Sequence, residues 1–142
     1  MKRLFDLTFR PFFVLTGIAT ALVSLNAFWP RWAAENIEKI PFVQEYTIVL
    51  QHWGMTVGLM GIFMIVAAYR AEWQIPILTY CACEKAFIVY LVAVNGSRSY
   101  ARGLWLGAGM DATVVLYIIA YAVCAARIDS TNQPLPVAKV VH

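Results

Sequence analysis

Apolar positions gather into four runs, residues 11–29, 46–69, 75–94 and 103–126, separated by short polar stretches. Each is close to the roughly 20 residues that a helix rising about 1.5 Å per residue needs to cross a hydrocarbon core. The pattern predicts an all-α chain: an integral membrane protein built as an antiparallel four-transmembrane-helix bundle. It forms one domain over residues 1–142, with a polar, flexible tail over 128–142.

The residues at the run ends refine these helices. Pro11 suits a first helical turn, where its missing N–H is no loss, and Pro30 stops the first helix after Trp29. Phe5, Phe9, Phe12 and Phe13 interleave with Lys2, Arg3 and Arg10, as aromatic rings do just below headgroup-level cations. Trp29, Trp32, Glu35, Glu38 and Glu45 make the following loop an interfacial segment. Arg70 to Gln74 is a very short turn, which forces the second and third helices to be antiparallel neighbours. Pro76 falls near the first turn of the third helix, and Asn95-Gly96-Ser97 ends it with Gly96 as the left-handed residue beyond the cap.

Composition changes the picture only by excluding alternatives. The chain is 61% hydrophobic and 13% charged, with a mean hydropathy of +0.67, against about 45 to 50% apolar and 25% charged in soluble domains. The formal charge of +3 is spread over helix ends, which suits anchoring to membrane lipids and not nucleic acid. The basic, then apolar, N-terminus resembles a signal peptide, but its run is too long and lacks a small-residue cleavage site, so it reads as a retained helix. Lys2, Arg3, Arg10, Arg70, Arg127 and Lys139 on the side of the termini outnumber Arg31, Lys39, Arg98 and Arg102 opposite. That bias places both termini in the cytoplasm, the membrane being a bacterial inner membrane. Cys81, Cys83 and Cys124 all lie inside apolar runs and read as small hydrophobes.

Two kinds of residue inside the runs call for an explanation. Gly54, Gly58 and Gly61 form a one-sided stripe on the second helix, and Gly103 and Gly107 a small-xxx-small pair on the fourth; both read as helix-packing faces. His52 lies about 200° around the helix from Gly54 at 100° per residue, so one face enters the bundle and the other meets a neighbour or a second subunit. The second kind is polar: His52, Glu84, Lys85 and Asp111. A charge at the centre of a membrane helix costs about 2.5 to 3.5 kcal/mol and normally finds a partner. Counted at 1.5 Å per residue from each helix start, roughly six residues for His52, eight for Asp111 and nine for Glu84 and Lys85, all four fall at similar depth. They form a candidate intramembrane polar cluster. On the third helix Ile77, Tyr80, Cys81, Phe87, Ile88, Leu91 and Asn95 share the Glu84 face. Lys85 with Asp111 or with Glu84 is either an ion pair that fixes helix register or part of a site for a ligand, proton or substrate.

Sharper chemistry fails on these residues. Bis-histidine haem needs two imidazoles within the membrane, and the second histidine is the terminal His142. Metal-ligand spacing is absent, as are the C-x-x-C of a redox pair, a phosphate loop and a nucleophile elbow. No catalytic residue, metal or obligate cofactor is expected, and a quinone or lipid is the ligand class such a cluster would admit.

The plan is similar to the DoxX-like group of small four-helix membrane proteins. The likeness rests on a first helix ending in Trp29-Pro30, a loop leading through Phe42-Val43, a second helix with Gly58-Leu59-Met60-Gly61-Ile62-Phe63, a brief turn at residues 71–74, and two further helices. It implies a non-catalytic accessory or structural subunit of a membrane complex, some members resembling subunits of oxidoreductase systems that handle sulfur compounds or oxidative stress. A homo-oligomer or a larger membrane complex is the expected assembly. The alternative is a small protein that binds or transfers a quinone, lipid or proton through the polar cluster. Phe9-Arg10-Pro11-Phe12-Phe13 also resembles the start of NnrS-type haem-copper membrane proteins, but that match covers helix 1 alone, the chain lacks a multi-histidine core, and neither haem nor copper carries over.

Overall fold

Aromatic residues extend the first helix well ahead of the apolar run that predicts it. In the computed structural model, which describes residues 2–131 and the side chains of residues 5 and 7–125, α1 spans Lys2–Ala21. Pro11 therefore sits inside the helix rather than at its first turn, and cannot donate to the Leu7 carbonyl. The N-terminal turns form because their rings have partners. Phe12 stacks on Tyr117 at 4.0 Å, Phe5 meets Tyr117 edge-on at 5.4 Å, and Phe9 lies 4.9 Å from Tyr121. Phe9 and Phe13 are buried in the core, and Thr8 Oγ1 and the Tyr117 hydroxyl share a hydrogen bond of 2.9 Å. These phenylalanines form an aromatic contact between α1 and the helix that carries Tyr117 and Tyr121.

After Ala21 the chain tightens through a 3-10 turn, Leu22–Ser24, into α2, Leu25–Phe28. Trp29 leaves helical geometry, and Pro30 opens α3, Pro30–Ala33, from the first helical position. A single wide π turn, Ala34–Glu38, follows. Lys39, in the left-handed region at φ 56°, closes it, with the Ile40 N–H donating to the Ala34 carbonyl at 3.0 Å. This segment buries Ala33 and Ala34 and leaves Trp29 and Trp32 outward.

A 3-10 turn at Gln44–Tyr46 leads into α4, Thr47–Tyr69, and α5 spans Ala71–Val94. Only extended Arg70 separates them, so the predicted turn at 71–74 is already helix and Pro76 lies inside it. A 3-10 segment, Ser99–Leu104, precedes α6, Trp105–Thr131. This helix continues past 126 into the predicted tail, whose remaining residues, 132–142, lie outside the described residues. Among the described residues no glycine has a positive φ, so Gly96 is not a left-handed cap. A Cβ there would lie 2.7 Å from the Trp105 ring, so the glycine is explained by close approach.

Among the described residues there is no strand, and four helical stretches, Leu7–Phe28, Gln44–Tyr69, Ala71–Val94 and Ser99–Ala125, are long and apolar enough to cross a membrane. α1 packs along α4, α4 on α5, α5 on α6, and α6 touches α1. The glycine stripe governs the closest of these contacts. A Cβ on Gly17 would lie 2.8 Å from the Gly61 carbonyl oxygen, one on Gly54 2.6 Å from Asn26 Cβ, and those on Gly58 and Gly61 would strike Ser24 and Ala21. Rising numbers on α1 and α2 thus meet falling numbers on α4. Gly17 is the reciprocal small residue, which the sequence reading passed over. The core beside this seam holds Met60, Met64, Ile77, Leu78, Cys81, Val114 and Ile118.

Candidate functional site

Of the four polar residues expected to meet, two do. Lys85 Nζ donates to Asp111 Oδ1 across α5 and α6. Lys85 lies nine residues before the end of α5 and Asp111 six residues after the start of α6, and it is their contact that brings the two to one level. Lys85 is 1% exposed, an ammonium taken almost wholly out of solvent, and the side chain of Asp111 is 15% exposed. A buried charge is tolerable only with such a partner. Of the two pairings open to Lys85 from sequence, the structure holds that with Asp111.

Glu84 is placed differently because adjacent residues diverge by about 100° around a helix. The buried stripe of α5 is Ile77, Leu78, Cys81, Lys85 and Val92, so the helix turns Lys85 inward and, of the residues grouped with Glu84, buries Ile77 and Cys81. Tyr80, Phe87 and Leu91 accordingly point outward. Glu84 lies at the margin, half-buried, and its Oε2 is shielded yet has no hydrogen-bond partner.

His52 stands apart from the cluster. It is exposed, and its backbone carbonyl accepts from the Thr56 hydroxyl at 2.9 Å. The cause lies in the glycines. Close approach of α1 requires Gly54, Gly58 and Gly61 to face inward, and the histidine, on the opposite side of the helix, is carried out. Of the two uses open to the glycine face, a neighbouring helix or a second subunit, the structure has the first, with α1 and α2 packed on it. The Gly103–Gly107 pair divides: Gly103 falls in the 3-10 segment before α6, where a Cβ would strike the Glu38 carbonyl oxygen, whereas Gly107 has open space beside it. Among the described residues no group of three or more His, Cys, Asp or Glu is placed to hold a metal ion.

A second polar contact lies at the other end of α2. Asn26, fully buried, donates through Nδ2 to Glu38 Oε1 and through the same nitrogen to the Val23 carbonyl at 3.2 Å. The sequence offered one weak signal for it, an amide inside the first apolar run. Glu38 reads as a solvated loop acid until the π turn folds it back. Near the termini, a cavity of about 300 Å³ is lined by Phe5, Phe9, Arg10, Ala68, Tyr69, Ala71, Gln74 and Tyr121, with the Arg10 guanidinium 5.8 Å from the centre of the Tyr69 ring.

The chain matches no family model, no curated protein and no solved structure.

Proposed function

We propose that this chain is a small integral membrane protein, an antiparallel four-helix bundle of a bacterial inner membrane with both termini cytoplasmic, acting as a non-catalytic accessory subunit of a membrane assembly. Glu84 carries the reading. Lys85 is committed to Asp111 inside the chain, which leaves a carboxylate with a shielded, unpartnered oxygen at the margin of an otherwise apolar helix face. Such a group in hydrocarbon is expensive and calls for a neighbour. Open space beside Gly107 and Gly109 on α6 allows a foreign helix to come close. The DoxX-like layout points to the same role, in a redox complex or a homo-oligomer.

The cavity at the ends of α1, α4, α5 and α6 favours a second reading. Its lining joins the Phe5, Phe9 and Tyr121 rings to the polar groups of Arg10, Tyr69 and Gln74, a mixture that would admit an amphiphile with a polar head, a quinone or a lipid. Purification in mild detergent, with light scattering and mass spectrometry of everything that comes along, separates the two. The first reading expects a stoichiometric protein partner or a second copy, lost in Glu84→Leu while the chain itself melts unchanged or higher. A monomer carrying a quinone or lipid supports the second, and a bare monomer refutes both.

A further inference from the structure

The Asn26–Glu38 contact is half of a pattern. Asn26 Nδ2 donates to Glu38 Oε1, and beside that bond two further oxygens, Asn26 Oδ1 and Glu38 Oε2, are both shielded and both without a partner. Each is an acceptor when Glu38 is ionised, so nothing in the pair can satisfy either. A single proton on Oε2 changes both at once. The carboxylic O–H becomes a donor, Asn26 Oδ1 is the acceptor, and the amide and acid close a cyclic pair with two hydrogen bonds.

We propose that Glu38 is a proton-binding site whose neutral acid form latches the Pro30–Glu38 segment onto the end of α2. Nearby charges do not offer an alternative way of satisfying the carboxyl. The charged side chains on the elements packed about it are Arg31 of α3 and Arg102 of the turn before α6, with Glu35 and Lys39 beside it in sequence. All are exposed, as is His52 of α4; Arg31 lies over the Phe42 ring, and α2 carries no charge. None forms an ion pair with Glu38. Burial, which pushes the carboxyl above its ordinary value of 4.5, outweighs the opposing Asn26 hydrogen bond. The latch also has a backbone component, since the Glu38 and Lys39 carbonyls lie where a Cβ on Gly103 would go. Ionisation sends the proton to water at the protein surface and strands two acceptors. The Pro30–Glu38 segment, which carries Trp32, is then released.

The linkage has a definite sign. A native-state value raised above the unfolded one means the folded chain holds the proton more tightly. The contribution is complete below 4.5, declines as pH rises above it, and is gone once pH passes the raised native value. The substitution Glu38→Gln supplies a permanent donor in the same shape. Thermal melts of wild type and E38Q in detergent should coincide at low pH and diverge as pH rises, the wild type falling more steeply. Infrared spectra of the wild type taken through a pH titration should contain a protonated-carboxyl band that persists above the ordinary value of 4.5, is absent in E38Q and is shifted in Asn26→Leu. Parallel melting profiles, or no band lost in E38Q, would overturn the proposal. An E38Q that fails to fold leaves the wild-type and Asn26→Leu spectra to decide it.

Discussion

Replacing Lys85 with methionine tests the ion pair most directly, because it keeps the apolar stem and deletes only the charge. With Lys85 and Asp111 at 2% and 15% side-chain exposure, little solvent screens them. At an effective dielectric near 20, unit charges about 4 Å apart interact by about 4 kcal/mol. Their desolvation offsets much of this, so the pair contributes little net stability, while stranding one partner costs about 3 to 5 kcal/mol. Lys85→Met should therefore destabilise by about that much, or by the smaller cost of protonating Asp111. In the latter case the deficit grows as pH rises and ionisation is enforced. Adding Asp111→Asn removes the stranded charge and should bring the double variant back to within about 1.5 kcal/mol of wild type, since neutral replacements of a buried pair are commonly tolerated. Adding Glu84→Gln instead should restore nothing. The assay is denaturant or thermal unfolding in detergent across pH, read as a double-mutant cycle. If Lys85→Met melts like wild type at every pH, the ammonium is not buried against Asp111. Rescue by Glu84→Gln would mean that the neighbour is the true partner.

The glycines give a paired test. Gly58→Leu should weaken folding by at least about 1 to 3 kcal/mol through overpacking against Ser24, whereas Gly107→Ala, with open space beside it, should lie within about 0.5 kcal/mol of wild type; equal melting of the two would refute the α1–α4 seam. Tyr117→Phe keeps the stack on Phe12 and removes only the hydroxyl shared with Thr8, so unfolding should show a loss of about 0.5 to 1.5 kcal/mol.

Where the sequence foretells this structure, a single local rule suffices. Apolar run length gives four long helices, and Pro30 gives the break after Trp29. The opposition of His52 to the glycines follows from helical spacing alone. The errors arise where two elements had to be combined. Pro11 suggested a helix start because nothing local reveals that Phe5 and Phe9 have Tyr117 and Tyr121 waiting on α6, more than a hundred residues later. Gly96 suggested a left-handed cap because glycine permits one, but a glycine is equally demanded by an approaching ring. His52 was grouped with Glu84, Lys85 and Asp111 by depth, yet depth is only one cylindrical coordinate; the azimuth, fixed by which face α1 needs, decides membership. The Asn26–Glu38 contact was hidden for the same reason at shorter range. Bringing residues 26 and 38 together requires a chain break at Trp29 and a π turn, which a left-handed Lys39 closes. A left-handed lysine costs roughly 1 to 2 kcal/mol where glycine would cost little, so the geometry that aims Glu38 inward persists only because the surrounding contacts impose it. The burial of Glu38 against Asn26 and the packing of its backbone on Gly103 are those contacts.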